Sequence, residues 1–188
     1  MEHARTWQIA TRIALWIVVA LLVILIATGI ALTFRYRPTV TRPYASVTDL
    51  EPRSRITLRG AHRLAAAVFV PTVGALAIAT IGLFLARRTR APIALSLLAG
   101  LATLVASFTG YLLPWDQLAL WAVTVGTNMR GYAPILRHDN VKYVILGSRE
   151  IDVTTFNRWF CTHTVLIPVV IVAVLIALAM AARPAIRR

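Results

Sequence analysis

Two imidazoles are the first groups in this chain that could do chemistry. His62 and His163 each stand near the start of a long apolar stretch, 61–86 and 160–182. A neutral imidazole offers a ring nitrogen to a metal, and two facing each other across a helix bundle form an axial clamp for a haem iron. A lone histidine at the end of an apolar span reads as a hydrogen-bonded interfacial residue. Two at matched depth on alternate spans point to a shared ligand, because an ionisable side chain inside a span is a functional candidate. Arg59 lies three positions before His62, which on a helix stacks the guanidinium one turn from the imidazole, within reach of the acidic rim of a held ring. Gly29 and Gly110 fall in the outer halves of the two other spans. There a missing side chain lets a flat ring approach the backbone, or lets helices pack closely. His3 and His138 fall in exposed segments and read as solvated. The single cysteine, Cys161, excludes an internal disulfide and a Cys-x-x-Cys-His haem attachment, and reads as a small packing residue.

The elements that must hold these groups follow from composition. With 59% hydrophobic residues and a mean hydropathy of +0.73, the 188-residue chain carries more apolar surface than one water-soluble core could bury. Four stretches, 13–34, 61–86, 91–113 and 160–182, are long enough to cross about 30 Å of hydrocarbon, which takes about 20 helical residues. The first follows Arg5 and Arg12 but is too long and bulky for a signal peptide, with no small-residue cleavage site before Arg35; it is expected to be a retained helix. The expected fold is all-α: a membrane four-helix bundle forming one domain over residues 1–188. Four spans put both termini on one face. Arg87, Arg88 and Arg90, with Arg183, Arg187 and Arg188, assign that face to the cytoplasm by the positive-inside rule. The rule is only partly obeyed, since the inner segments hold 8 Lys and Arg and the longer outer loops hold 12, together with 6 of the 7 acidic residues.

The outer loops, 35–60 and 114–159, are long and the inner turn is short, so the work is expected outside. Leu118, Trp121, Ala122 and Val125 recur at helical spacing and predict a short amphipathic helix along the membrane surface. Trp115, Trp121, Tyr143 and Trp159 supply an interfacial aromatic belt. The net charge of +13 is divided between two membrane faces, with no compact basic domain. Lipid headgroups and partner subunits, not nucleic acid, are the expected counter-ions. A transporter is disfavoured, because there are no duplicated broken helices and no midplane charge; Pro71 is a single kink candidate.

The segment Thr109-Gly-Tyr-Leu-Leu-Pro-Trp-Asp-Gln-Leu-Ala-Leu-Trp-Ala-Val-Thr-Val-Gly-Thr-Asn128 resembles the end of the third helix and the following surface helix of the cytochrome b family, in its bacterial bc and b6f forms. Thr28-Gly29, Tyr36-Arg-Pro-Thr39, Tyr44-Ala-Ser-Val47, Arg59-Gly-Ala-His62-Arg63, Arg158-Trp-Phe-Cys-Thr-His163 and Leu166-Ile-Pro168 agree with it in order. The resemblance covers residues 7 to about 180 and only the four-helix, haem-carrying half of the family. It implies that His62 and His163 are the axial ligands of one b-type haem near the outer face. Arg59 matches its propionate partner, and Gly29 and Gly110 match its flanking glycines. Trp121 to Asn128 match part of the wall of the outer quinol-oxidising pocket.

The chain also departs from the family. A second histidine is expected fourteen residues after each ligand, about 20 Å deeper on the same face, but those positions hold Leu76 and Ala177. The companion glycines are replaced by Leu15 and Ser96. The inner haem is expected to be lost, with side chains filling its place. The family's Pro-Glu-Trp-Tyr quinol loop is not in this sequence either, so a partner subunit is expected to complete any quinol pocket. The expected function is that of a mono-haem cytochrome b subunit in a multi-pass, energy-transducing inner membrane. It would pass electrons between the quinol/quinone pool and an outer-face iron–sulfur or cytochrome c subunit. The alternative is a degenerate, haem-free structural or assembly subunit.

Overall fold

The computed structural model describes residues 2–35, 57–128 and 152–183, and among these there is helix and turn but no strand. In chain order the elements are α1 (Glu2–Thr33), α2 (Leu58–Arg87), α3 (Arg90–Leu112), α4 (Gln117–Asn128), α5 (Val153–Cys161), a π-turn (Thr162–Leu166) and α6 (Ile167–Ala181). The last three run on as one rod, Val153–Ala181, so four helices are long and apolar enough to cross a membrane. Residues Tyr36–Thr39, Tyr44–Val47, His138 and Tyr143 lie outside the described residues.

Local chemistry sets where each helix starts and stops. α1 begins at Glu2, well before the apolar run, because no Gly or Pro interrupts residues 2–12. Its length of about 48 Å exceeds the hydrocarbon thickness. Thr57 caps α2, accepting from the Gly60 N–H at 2.9 Å. At the other end Arg88 turns left-handed (φ 58°) and its N–H bonds the Phe84 carbonyl, closing the helix as a C-terminal cap does. Only Arg88 and Thr89 separate α2 from α3, so the two run antiparallel.

The final rod starts at Val153, earlier than its apolar run, because Asp152 builds a capping box. Its carboxylate accepts from the Thr154 and Thr155 N–H groups at 2.8 and 3.1 Å, and Thr155 Oγ1 accepts from the Asp152 N–H. Further along, Pro168 has no N–H for the Thr164 carbonyl, and its ring would collide with the preceding turn of an α-helix. The π-turn absorbs both problems by admitting one extra residue, the Ile167 N–H reaching back to the Thr162 carbonyl.

α1 lies along α2, α2 along α3, and α3 along the final rod, with lighter contact between α1 and α6. Val18, Phe69, Val73, Leu76, Ile171 and Leu178 form the middle of the core. Outward residues such as Ile13, Trp16, Val23 and Leu104 are exposed, as a bilayer solvent requires. Thr80 Oγ1 and Ser96 Oγ pair at 2.6 Å between α2 and α3, fully buried.

One end is tied shut. Arg87 Nη2 donates to Gln8 Oε1 at 2.6 Å, Gln8 Nε2 donates to the Ala182 carbonyl at 3.5 Å, and the Trp7 indole packs onto Gly82. The start of α1, the α2–α3 turn and the end of α6 therefore share this end. At the opposite end, Trp115 adopts φ 52° and sets its ring edge-on to Phe156, while Asp116 Oδ1 accepts from the Ala119 N–H at 2.9 Å to start α4. α4 rests on the bundle through Ala119 and Val123, packed with Leu112, Trp115 and Phe156. Leu118, Trp121 and Val125 face away from the protein.

Candidate functional site

His62 lies one turn into α2, and His163 lies in the π-turn of the final rod. Their side chains meet at the end of the bundle opposite the Gln8 tie, with ring centroids 6.4 Å apart and planes 71° apart. Each imidazole is held by a neighbouring helix. His62 Nδ1 is 2.8 Å from Thr28 Oγ1 of α1. His163 Nδ1 is 3.1 Å from both Thr109 Oγ1 and the Ala106 carbonyl of α3. Neither Nε2 has a hydrogen-bond partner among the described residues.

The two glycines lie against these rings. A Cβ at position 29 would stand 3.4 Å from His62 Cε1, and one at position 110 would stand 2.6 Å from His163 Cε1. What their bareness admits, among the described atoms, is an imidazole from the adjoining helix. The site therefore has an approximate twofold pattern. Thr28-Gly29 of α1 serves His62 of α2, and Thr109-Gly110 of α3 serves His163 of the final rod. The threonines appear in the sequence motifs, but their partnership with the rings shows only in three dimensions.

Arg59 is half-buried in the first turn of α2, three residues outward of His62. Trp159 occupies a comparable place one turn outward of His163, edge-on to Phe108 at 6.0 Å. Its Nε1 is the one buried side-chain nitrogen or oxygen without a partner among the described residues. An unpaired N–H in apolar surroundings is costly, and a donor so placed suits a ligand with an acidic edge. Trp121 lies on the outward face of α4, 61% exposed and turned away from the imidazole pair's helices. Asn128 ends α4, and its side chain is outside the described residues.

The donor set selects the kind of metal. Among the described residues no group of three or more His, Cys, Asp or Glu could hold an ion. Two imidazoles alone leave a four- or six-coordinate cation short of protein ligands. They do complete the shell of an iron already held in the plane of a porphyrin. Two metal–nitrogen bonds of about 2 Å, with about 1.2 Å from each nitrogen to its ring centre, require centroids about 6.3 Å apart. The observed 6.4 Å fits.

Among the described residues, the half of the bundle nearer the Gln8 tie offers no comparable pair. Leu76 is fully buried in the core, Leu15 packs against that core, and Ser96 is occupied with Thr80. On the final rod the π-turn adds a residue, so the position four turns below His163 is Leu178 and not Ala177. Leu178 is 0% exposed, whereas Ala177 is only half-buried. The count of fourteen that holds on α2 therefore misses by one on this rod, though both positions are apolar.

The family profile for cytochrome b/b6/petB matches residues 6–183. Among solved structures, one titled "Hyperthermophilic respiratory Complex III" superposes with a TM-score of 0.73 at 23% identity, covering 92% of this chain and 48% of that one. This chain thus spans about half the length of that relative, and at that identity the likeness concerns the fold. The profile takes in all four long helices and both histidines, and on that ground the chain belongs to the cytochrome b family, as a multi-pass protein of an energy-transducing membrane.

Proposed function

We propose that this chain is a mono-haem cytochrome b subunit that passes single electrons between the quinone pool and a redox partner at the outer membrane face. The observation that carries the reading is the close pair of imidazoles, with ring centroids 6.4 Å apart and both Nδ1 atoms engaged elsewhere. A b-type haem in that position supplies one-electron iron chemistry at a potential set by its ligands, its burial and the charge at its rim.

The chain's own residues hold and tune. His62 and His163 would hold the haem iron, Gly29 and Gly110 give the imidazoles room, and Arg59 would pair with the propionates. The exposed apolar stripe of α4, with Trp121 and, next along the sequence, Asn128, would contribute one wall of an outer quinol pocket. Iron–sulfur and cytochrome c subunits are the partner classes that accept single electrons there. The arginine-rich end tied by Gln8 faces the cytoplasm, where the positive-inside rule puts Arg87, Arg88 and Arg90.

The packed inner half supports a count of one. A two-haem relay moves an electron across the bilayer in two steps, and Leu76 and Leu178 stand where its inner station would be gripped. A pyridine haemochrome assay of the purified chain is expected to return one haem per polypeptide, and a value of two overturns the count. The competing reading, a haem-free scaffold, draws on the same solid inner half. A reduced-minus-oxidised spectrum with no α band would establish that reading and dismiss the electron carrier.

A further inference from the structure

Threonine in a membrane helix usually spends its hydroxyl proton on its own backbone, and both threonines here do so. Thr28 Oγ1 lies 2.7 Å from the Ile24 carbonyl and 3.2 Å from that of Leu25. Thr109 Oγ1 lies 2.8 Å from the Val105 carbonyl and 3.1 Å from that of Ala106. A hydroxyl has one proton and two lone pairs. With the proton committed to a carbonyl of its own helix, each oxygen can only accept from the imidazole beside it, at 2.8 Å for His62 and 3.1 Å for His163. The Ala106 carbonyl, also 3.1 Å from His163 Nδ1, can likewise only accept. Both Nδ1 atoms must then carry the hydrogen, which leaves both Nε2 lone pairs bare.

We infer that Thr28 and Thr109 are positioning residues that fix the tautomer of both histidines and hold down the reduction potential of the group between them. The inference rests on the proposed bis-histidine haem and concerns how the chain tunes it. An Nδ1–H that donates to an oxygen makes its ring more electron-rich and its Nε2 a stronger donor. A stronger donor favours the oxidised metal. Neither hydroxyl touches the metal; each acts through the ring beside it. The Thr-Gly dipeptide thus has two tasks at each ligand: the glycine admits the ring, and the threonine sets which nitrogen is free.

The test replaces each hydroxyl by a methyl of nearly the same size. Thr28→Val and Thr109→Val should each raise the midpoint potential in a redox titration of the α band. The double variant should shift the ferrous/ferric ratio at fixed potential by about tenfold, about 60 mV for one electron. Thr28→Ser and Thr109→Ser should stay at the parent's potential, a recovery that packing alone cannot produce. If the valine variants emerge without haem, the serine variants decide: haem restored at the parent potential supports the inference, and continued loss overturns it. A double valine variant within twofold of the parent ratio also overturns it, leaving the bis-histidine reading intact. A parent protein with no α band overturns both.

Discussion

His62→Ala and His163→Ala are each expected to abolish haem incorporation, with the purified variants keeping the helical circular dichroism of the parent and losing the α band altogether. Alanine is a good helix former, and neither ring belongs to the main core cluster, so the bundle survives. The remaining imidazole keeps its threonine but faces no second donor. No further His, Cys, Asp or Glu among the described residues joins the pair, so none of these stands ready to replace the lost imidazole. Because the ligands act as a pair, the double alanine variant should be no worse than either single one, a non-additivity expected of groups that share one task. A single variant with a full haem complement would remove one histidine from the clamp.

The glycines should differ from each other, and steeply. Gly110→Ala puts a methyl 2.6 Å from His163 Cε1, closer than real Cβ contacts come, so the ring must move. That ring is pinned by Thr109 and Ala106 on one side and by its backbone in the π-turn on the other. Its displacement pulls Nε2 off the axis it shares with His62. Gly29→Ala puts its methyl 3.4 Å from His62 Cε1, an ordinary contact that needs little adjustment. Haem content, measured per chain, should fall by about tenfold or more in Gly110→Ala and stay near the parent in Gly29→Ala. Equal loss in the two would mean that the glycines act through the space above the porphyrin and not through the imidazoles.

What could be read from the residues, and what could not, divides along physical lines. The four spans follow from composition because a bilayer demands a minimum apolar length, and the 61–86 and 91–113 runs differ from α2 and α3 by three residues or fewer at either end. The first and last helices start earlier than their apolar runs, because polar residues such as Thr6 and Gln8, or the Asp152-Val-Thr-Thr155 capping box, extend a helix that hydropathy alone cannot detect. That box was legible as a motif. The one-residue offset was not: a count of fourteen from His163 gives Ala177, and the π-turn that makes Leu178 the counterpart of Leu76 shows only in three dimensions, since Pro71 stands within α2 without such a turn.

The site was legible as a set of residues but not as a set of contacts. His62 and His163 announce themselves by being ionisable in an apolar span. Thr28 and Thr109 do not, since a threonine that bonds its own helix looks the same whether or not a second helix uses its spare lone pairs. Their one advance sign is that Thr-Gly occurs at matching depth on α1 and α3. On α4 the helical stripe of Leu118, Trp121 and Val125 could not reveal that the bundle is gripped by the small residues Ala119 and Val123 on the opposite side.

The twofold pattern of the site bears on assembly. α1 and α2 contain Thr28, Gly29 and His62, while α3 and the final rod contain Thr109, Gly110 and His163. Each antiparallel pair is thus a finished half-socket, and a group seated between them acts as a cross-link that neither pair can retain alone. Mass action then couples cofactor supply to the joining of the halves, adding about 2.7 kcal/mol when free cofactor stands a hundredfold above its dissociation constant. Cells starved of the cofactor should accumulate a bundle still joined through its common core and its Gln8 tie, but more readily cut by the membrane's proteases at the end where the imidazoles fail to be bridged.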